Sequence, residues 1–150
     1  MEQMYAAPWQ WKHYGKDVRI FDYCTILKPE LISIGDYSRI DDHCKLEGGE
    51  GLTIGARVHI AFSVHINSGG GTCVIGDHAG IATGARILSG QPDLSYLCIC
   101  PNEPPEDIHP LRYTTTIGEY ALVGAMAVIM PGVTLGRGAV AAAGAVVTRD

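Results

Sequence analysis

The stretch that decides the fold is residues 117–150, IGEYALVGAMAVIMPGVTLGRGAVAAAGAVVTRD. Apolar residues recur in it every six positions without a slip, at Ile117, Val123, Ile129, Leu135, Ala141 and Val147. An α-helix completes two turns in about seven residues, so this period does not suit a helix. Three glycines after these positions and Pro131-Gly132 in mid-segment also disfavour a helix. A period of six is typical of short strands joined by sharp corners.

Three such hexads predict one triangular coil of about 18 residues, whose aliphatic side chains point inward and stack on the next coil. Gly118, Gly124 and Gly136 follow inward residues directly, and we expect them to supply the backbone angles of the corners. A second small residue, such as Ala121 or Ala127, stands four positions after each inward residue and is expected to fit under a corner. The sequence therefore predicts an all-β fold, a parallel β-helix with a triangular section.

Earlier coils follow the same pattern with small insertions. Clean coils begin at Ile34, Ile54 and Ile75, which are 20 and 21 residues apart. Two or three residues must therefore be inserted at corners in these coils. The Gly-rich segments 48–51 and 68–71 are where such insertions fit best.

The region before residue 18 lacks the hexad. It contains Trp9, Trp11 and Tyr14, large apolar side chains that can cover the open end of the prism. We predict that residues 1–17 form an N-terminal cap or, alternatively, a partly ordered tail. The β-helix domain is predicted to span residues 18–150.

One segment must leave the prism. The step from Ile75 to Ile117 is 42 residues, of which one coil accounts for 18. The remainder lies within residues 88–116, a loop excursion with five prolines and an apolar content too high for a plain linker. A long Pro-rich loop in a regular array is either disordered or functional, and we expect this one to pack on a neighbouring molecule.

Composition excludes several classes of protein. The chain has 150 residues, which suits one domain, and its net charge of −5 disfavours nucleic acid as a partner. No apolar run approaches 18 residues, so we expect no membrane span, no signal peptide and a cytoplasmic location. Its five cysteines, an odd number without zinc-site spacing, predict free thiols.

The segments 117–150 and 54–90, the latter reading IGARVHIAFSVHINSGGGTCVIGDHAGIATGARILSG, resemble the hexapeptide-repeat acyltransferases. The resemblance covers residues 18–150. In its loop excursion the chain is similar to bacterial sugar and surface-polysaccharide O-acetyltransferases. The resemblance implies a left-handed parallel β-helix, a homotrimer, and active sites in the grooves between neighbouring prisms. The implied reaction is O-acetyl transfer from acetyl-CoA, the co-substrate, to a sugar hydroxyl, with no metal expected.

Such a reaction requires a general base, because the pKa of a sugar hydroxyl lies far above 7, and histidine is the usual residue. In the galactoside and maltose branch the base lies in a motif similar to A-G-H-P. The matching residues here are Ser89-Gly90-Gln91-Pro92, and Gln91 cannot act as a base. The chain is more similar to the surface-polysaccharide branch. It shares with that branch H-I pairs, here His59-Ile60 and His65-Ile66, before a Gly-rich corner, and an acid that matches Asp93.

The search for the base therefore turns to other histidines. His59 and His65 each precede an inward isoleucine, so both point outward, on different faces. Stacking of coils places His65 beside the Gly-rich corner and one coil below the start of the excursion, where Asp93 can orient it. We predict that His65 is the general base and Asp93 its partner; His59 and His109 are the alternative candidates.

The resemblance also implies the coenzyme A site. The pantetheine arm would lie along the late coils, at positions matching Ala125, Ala143, Thr148 and Arg149. Small side chains keep such a groove open, and Arg149 can bind a phosphate. The alternative is that the two alanines are small only because the repeat packs that way.

Two other classes remain open on this sequence. A metal enzyme of the γ-carbonic-anhydrase type is similar in its R-x-D motif at Arg39–Asp41, but it needs three converging histidines. A non-catalytic trimeric β-helix, used as a scaffold or attachment module, is the other alternative. Coenzyme A binding, bound zinc, or neither would distinguish the three.

Overall fold

The computed structural model describes residues 10–150, which form three parallel sheets of six strands each. Sheet A contains β1 (His13–Tyr14), β4 (Ile32–Ile34), β7 (Gly51–Ile54), β10 (Thr72–Ile75), β15 (Thr114–Ile117) and β18 (Thr134–Leu135). Sheet B contains β2 (Arg19–Ile20), β5 (Arg39–Ile40), β8 (His59–Ile60), β11 (Gly80–Ile81), β16 (Leu122–Val123) and β19 (Val140–Ala141). Sheet C contains β3 (Thr25–Leu27), β6 (Lys45–Glu47), β9 (His65–Ser68), β12 (Arg86–Leu88), β17 (Val128–Ile129) and β20 (Val146–Val147). Each strand pairs with the strand one coil away, so the chain winds as a triangular parallel β-helix.

The core is the stack of inward aliphatic residues that the hexad predicts. On sheet A, Ile34, Ile54, Ile75 and Ile117 stand in register and are all buried. The second small position is buried as well, at Ala79, Ala85, Ala121 and Ala127 among others. Burial of one such isoleucine stabilises the fold by about 1.5–3 kcal/mol, so a ladder of them dominates the stability of the prism.

The glycines that directly follow inward residues allow close packing of coils rather than unusual backbone angles. A Cβ at Gly118 would lie 2.6 Å from the backbone nitrogen of Arg137 in the next coil. The positive φ angles fall two residues later, at Tyr120 (57°) and Met126 (59°). The expectation that Gly118, Gly124 and Gly136 provide the corner angles is therefore wrong. Gly136 lies in the last coil of this chain, and a Cβ there would meet nothing within 4 Å.

The start of the prism lies before residue 18. Strand β1 pairs with β4 in sheet A, and Trp11 and Tyr14 pack against the core with ring centroids 5.4 Å apart. Trp9 lies outside the described residues. The predicted cap over residues 1–17 therefore stays a prediction.

The insertions lie at the Gly-rich corners. β7 begins at Gly51 and β10 at Thr72, directly after the two inserted segments. At the second corner Asn67 is fully buried, with φ 66°. Its Nδ2 donates to the carbonyl oxygens of Glu47 at 2.8 Å and Gly48 at 3.1 Å, so one side chain joins two successive coils.

The excursion leaves the prism after β12 and returns at β15. It opens with β13 (Gly90–Pro92), which pairs antiparallel with β14 (Pro110–Arg112), and contains a 3-10 turn at Pro105–Asp107; a second such turn lies at Pro29–Leu31. Its tip is apolar and exposed, with Leu97 100% exposed. Packing of this loop on a neighbouring molecule stays a prediction.

Within residues 10–150, no helix has the length and apolar character needed to cross a membrane.

Candidate functional site

His65 belongs to a three-residue cluster on sheet C. Its Nε2 lies 2.6 Å from Oε1 of Glu47, and Nζ of Lys45 lies 2.8 Å from the same oxygen. Lys45 and Glu47 are alternate residues of β6, so both point outward, one coil below His65. The side chains of His65 and Glu47 are only 23% and 21% exposed. The cluster is therefore partly shielded from water although it lies on an outer face.

The charge of this cluster fixes which nitrogen of His65 carries a proton. Partial burial raises the pKa of Glu47, but the hydrogen bonds from Lys45 and His65 outweigh it and hold the pKa below its usual value. Glu47 is thus a carboxylate at neutral pH and can only accept hydrogen bonds. Nε2 of His65 must donate to it, which leaves the lone pair of Nδ1 on the neutral ring able to accept a proton.

His59 belongs to a cluster of the same design on sheet B. Its Nε2 lies 3.0 Å from Oδ2 of Asp41, and Nε of Arg39 lies 2.6 Å from Oδ1. Here too burial raises the pKa of the acid, and hydrogen bonds from His59 and Arg39 outweigh it and lower the pKa of Asp41. The His59 side chain is 53% exposed. It also has Gly80, a residue without a side chain, beside it in the next coil.

Asp93 has a different partner from the one that the sequence predicted. Its Oδ1 accepts hydrogen bonds from the backbone nitrogen of Ser95 at 2.9 Å and from the Ser95 hydroxyl at 2.7 Å. These bonds, typical of an Asx turn, lower the pKa of Asp93. No hydrogen bond joins Asp93 to His65 within residues 10–150. The structure gives His65 the carboxylate of Glu47 instead, and the catalytic roles of His65 and Asp93 stay predictions.

His109 lies beside a surface cleft under the excursion. Its ring stacks on Tyr96 with the centroids 3.7 Å apart, and its carbonyl oxygen accepts the backbone N–H of Asp93 at 2.9 Å. The cleft has a volume of about 250 Å³ and is also lined by Gln91 and by Gly69 of the Gly-rich corner. Gly69 directly follows the strand that carries His65. The candidate base and the cleft therefore adjoin the same corner.

The predicted coenzyme A residues all lie on the surface. Ala125 and Ala143 occupy equivalent corner positions in successive coils, joined by the bond from the backbone nitrogen of Gly144 to the Ala125 carbonyl oxygen at 2.8 Å. Both alanines are exposed, so core packing does not account for their small size. Thr148 and Arg149 are exposed after β20. Their role in binding coenzyme A stays a prediction.

The geometry also bears on metals and thiols. His59 and His65 lie on different sheets, and the described part of the chain holds no cluster of three or more potential metal ligands. All five cysteines are free thiols, as predicted. Burial raises the pKa of Cys73 to about 12, whereas Cys98 and Cys100 are exposed on the excursion.

Comparison with known proteins defines the class first. Residues 114–149 match the family described as the hexapeptide repeat of succinyl-transferase. A hexapeptide-repeat acetyltransferase from Vibrio cholerae is similar over 88% of the chain and 69% of its own length, with a TM-score of 0.66 at 18% identity, which speaks for the fold alone. The predicted fold class, a left-handed parallel β-helix, is confirmed.

Two further proteins are more similar to the chain in sequence, and their names state an activity. The chain is 34% identical over 142 residues, 93% of its length and 73% of the relative's, to dTDP-4-amino-4,6-dideoxy-D-glucose acyltransferase of Escherichia coli. It is similar to AntD, an N-acyltransferase from Bacillus cereus solved with dTDP and 3-hydroxybutyryl-CoA, with a TM-score of 0.81 and 29% identity over 89% of the chain and 70% of AntD. The chain therefore belongs to the hexapeptide-repeat acyltransferases, which confirms the resemblance noted from the sequence.

Sequence reasoning missed Glu47. The signal was present, because Lys45 and Glu47 alternate on one strand and the coil spacing puts His65 one coil above Lys45. The prediction that Asp93 is the partner of His65 rested on the family resemblance instead. Ser95, two residues after Asp93, was the local signal that Asp93 closes its own turn.

Proposed function

We propose that the chain is an N-acyltransferase that moves an acyl group from coenzyme A to the amino group of a nucleotide-linked amino sugar. The observation that carries the proposal is 34% identity over 93% of the chain to an acyltransferase named for dTDP-4-amino-4,6-dideoxy-D-glucose. A point mutant of AntD, solved with that same sugar nucleotide and coenzyme A, supports the same class of acceptor. N-acyl transfer replaces the O-acetyl transfer expected from the sequence because the sugar in both comparisons carries an amine.

An amine acceptor changes the demand on the base. A sugar hydroxyl has a pKa far above 7 and must lose its proton as it attacks. A sugar ammonium group, flanked by electron-withdrawing oxygens, has a pKa of about 8, as an α-amino group does. The nucleophilic free amine is then present at neutral pH without a base. This lower demand is compatible with Gln91 at the position where the resemblance leads one to expect a histidine.

His65 is the proposed proton acceptor. The amine attacks the thioester carbonyl, a tetrahedral oxyanion forms, and the attacking nitrogen loses a proton to Nδ1 of His65. Glu47, bonded to Nε2 at 2.6 Å, stabilises the imidazolium that results. The C–S bond then breaks, and the leaving thiolate takes the proton back. Amine and thioester become amide and thiol, with no net proton gained or lost.

Coenzyme A is proposed to lie along the exposed corner formed by Ala125 and Ala143, with Thr148 and Arg149 at its end. Arg149 offers a cationic fork for a phosphate. Acetyl-CoA is the proposed donor, and a homotrimer would complete the groove with a neighbouring prism.

The test is a direct assay with acetyl-CoA and dTDP-4-amino-4,6-dideoxyglucose. Products should be followed by mass spectrometry, because the exposed thiols of Cys98 and Cys100 would react with the reagents used to detect free coenzyme A. We expect an acetylated sugar nucleotide and an equal amount of free coenzyme A.

The matched control is the same sugar nucleotide with a hydroxyl in place of the amine. Acetylation of the hydroxyl compound but not of the amine would overturn the proposal in favour of O-acetyl transfer. Acetylation of neither, together with no binding of coenzyme A, would favour a non-catalytic β-helix.

A further inference from the structure

The cleft under the excursion has the chemical character of a ring-binding site. It has a volume of about 250 Å³, and its walls include Ile99 and three prolines, Pro92, Pro101 and Pro110. Its lining contains no carboxylate, and its polar side chains are Gln91, His109 and the thiol of Cys98, a weak hydrogen-bonding group. Apolar walls with one or two placed polar groups are typical of small-molecule sites.

The walls of the cleft are fixed by the structure around them. Strands β13 and β14 pair antiparallel, which sets Pro92 opposite Pro110 and Gln91 opposite Leu111. The His109 ring is held by stacking on Tyr96. Proline has a fixed φ, so these walls lose little conformational entropy when a ligand binds.

We propose that this cleft binds the pyrimidine ring of the acceptor's nucleotide and that the Gln91 amide recognises the edge of the ring. The proposal rests on the function proposed above. A thymine edge offers an N–H donor next to carbonyl acceptors, and a side-chain amide offers the matching acceptor and donors. The faces of the ring pack against the prolines and Ile99. This gives Gln91 a binding role in place of the catalytic one it cannot fill.

The size of the cleft agrees with part of a nucleotide sugar rather than the whole. Its 250 Å³ corresponds to about eight water molecules at the density of the liquid, below the usual range of sites for drug-sized ligands. A single ring with its ribose fits this space. The diphosphate and the amino sugar must therefore extend out of the cleft, along the Gly-rich corner that also follows His65.

A cation, Arg112, adjoins the lining of the cleft and is available to the diphosphate. Arg112 pairs with Gly90 across the hairpin, and its Nη1 lies 3.0 Å from Oε1 of Glu50. Both side chains are about half exposed, at 48% and 52%. An ion pair this exposed contributes little, so phosphate oxygens can compete with Glu50 for the guanidinium.

The experiment compares Gln91→Leu with Gln10→Leu, the same change at an exposed glutamine far along the chain from the cleft residues. We expect Gln91→Leu to raise KM for the dTDP-linked amino sugar about tenfold, with kcat and the KM for acetyl-CoA unchanged. Gln10→Leu should change neither. In calorimetry, dTMP should bind the unmodified protein, and Gln91→Leu should weaken that binding by the same factor.

The outcomes separate this proposal from the one it rests on. Equal KM values for the free and the nucleotide-linked amino sugar would overturn the cleft assignment and leave acyl transfer intact. A raised KM for acetyl-CoA in Gln91→Leu would assign the cleft to coenzyme A and also overturn it. Binding of dTMP that depends on Gln91, in a protein that acylates no amine, would support the cleft and contradict the acyltransferase.

Discussion

The clusters around His59 and His65 are built alike, on neighbouring faces of one prism. In each, a cation and a histidine from successive coils share one carboxylate: Asp41 on sheet B and Glu47 on sheet C. The two histidines are six residues apart, which is the period of the fold. The repeat therefore duplicates a chemical unit together with the structural one, and only the surroundings can give the two copies different roles.

The surroundings do differ. Beside His65 in the next coil lies Arg86, whose Nη1 donates to the carbonyl oxygens of Ser63 at 2.7 Å and Gly84 at 2.8 Å. Beside His59 lies Gly80, which leaves that imidazole about half exposed. The strand of His65 runs into the Gly-rich corner and the cleft. The difference teaches that enclosure and neighbouring binding surfaces, rather than the hydrogen-bonded pair itself, distinguish a candidate base.

The largest expected effect is on turnover. His65→Ala should lower kcat for amino-sugar acylation by about 10²–10⁴, the usual contribution of a positioned base. His59→Ala should lower it less than about threefold, because His59 lies on the other face. Steady-state rates measured on both folded variants test the assignment. Equal losses in the two would break the distinction between the faces.

The next effect is on stability. Arg86→Met removes the donor to the carbonyl oxygens of Ser63, Gly84 and Ala85 and should destabilise the protein by about 1–2 kcal/mol, the cost of leaving partly buried carbonyl groups unpaired. Gly80 occupies the equivalent position on sheet B, beside His59. Its substitution Gly80→Ala brings a Cβ within 3.2 Å of Cδ1 of Leu122, a side chain that can move. It should cost less than about 0.5 kcal/mol. Denaturant unfolding of both variants measures the difference; a smaller loss for Arg86→Met would mean that water satisfies those carbonyls.

A smaller effect is expected from the carboxylates. Glu47→Gln keeps the size of the side chain but loses the charge that stabilises the imidazolium, so kcat should fall about tenfold while both KM values hold. The pH–rate profile should also shift, which a purely structural change would not produce. Asp41→Asn is the matched variant and should leave the profile unchanged. A profile that moves in Asp41→Asn instead would transfer the catalytic role to sheet B.

The smallest effect is on the pH dependence of stability. Hydrogen bonds lower the pKa of Glu47 in the folded state, so Glu47 stabilises the fold above its unfolded pKa of about 4.3. That contribution is lost as the pH falls through the lower, folded value. Glu47→Gln and Asp41→Asn should each reduce the loss of stability on acidification by less than about 1 kcal/mol, since the pairs are partly exposed. Unfolding measured from pH 6 to pH 3 tests this; an unchanged slope in both variants would contradict it.

Much of the fold could be predicted from the hexad because one repeating contact, the inward aliphatic stack, decides it. Lys45, His65 and Arg86 stand in register on successive coils, as the coil spacing in the sequence requires. The corner angles could not be predicted in the same way. They fall on Tyr120 and Met126, which carry side chains, as well as on Gly132, Gly138 and Gly144. The glycines that directly follow inward residues are needed where backbones of successive coils meet.

The candidate site was predicted less completely. Contacts between coils follow from the period, so the neighbours of His65 on sheet C were within reach of sequence reasoning. The path of the excursion has no period, and the cleft between Gly69, Gln91 and His109 depends on that path. The position of Asp93 also depends on it, because a turn closed by Ser95 decides where the carboxylate lies.

Asn67 has a consequence for how the chain finds its fold. A periodic chain can align a coil with the wrong neighbour at little cost, because each aliphatic stack and each glycine accepts any coil equally well. The side chain of Asn67 donates to carbonyls at the one corner that has the matching insertion, those of Glu47, Gly48 and, at 3.4 Å, Gly51. Misalignment by a whole turn would leave the buried amide of Asn67 without these hydrogen-bond partners. The irregular corner thus specifies which coils pair with each other. Removal of the Asn67 side chain should therefore slow refolding, or make it heterogeneous, more than it lowers the stability of the native state.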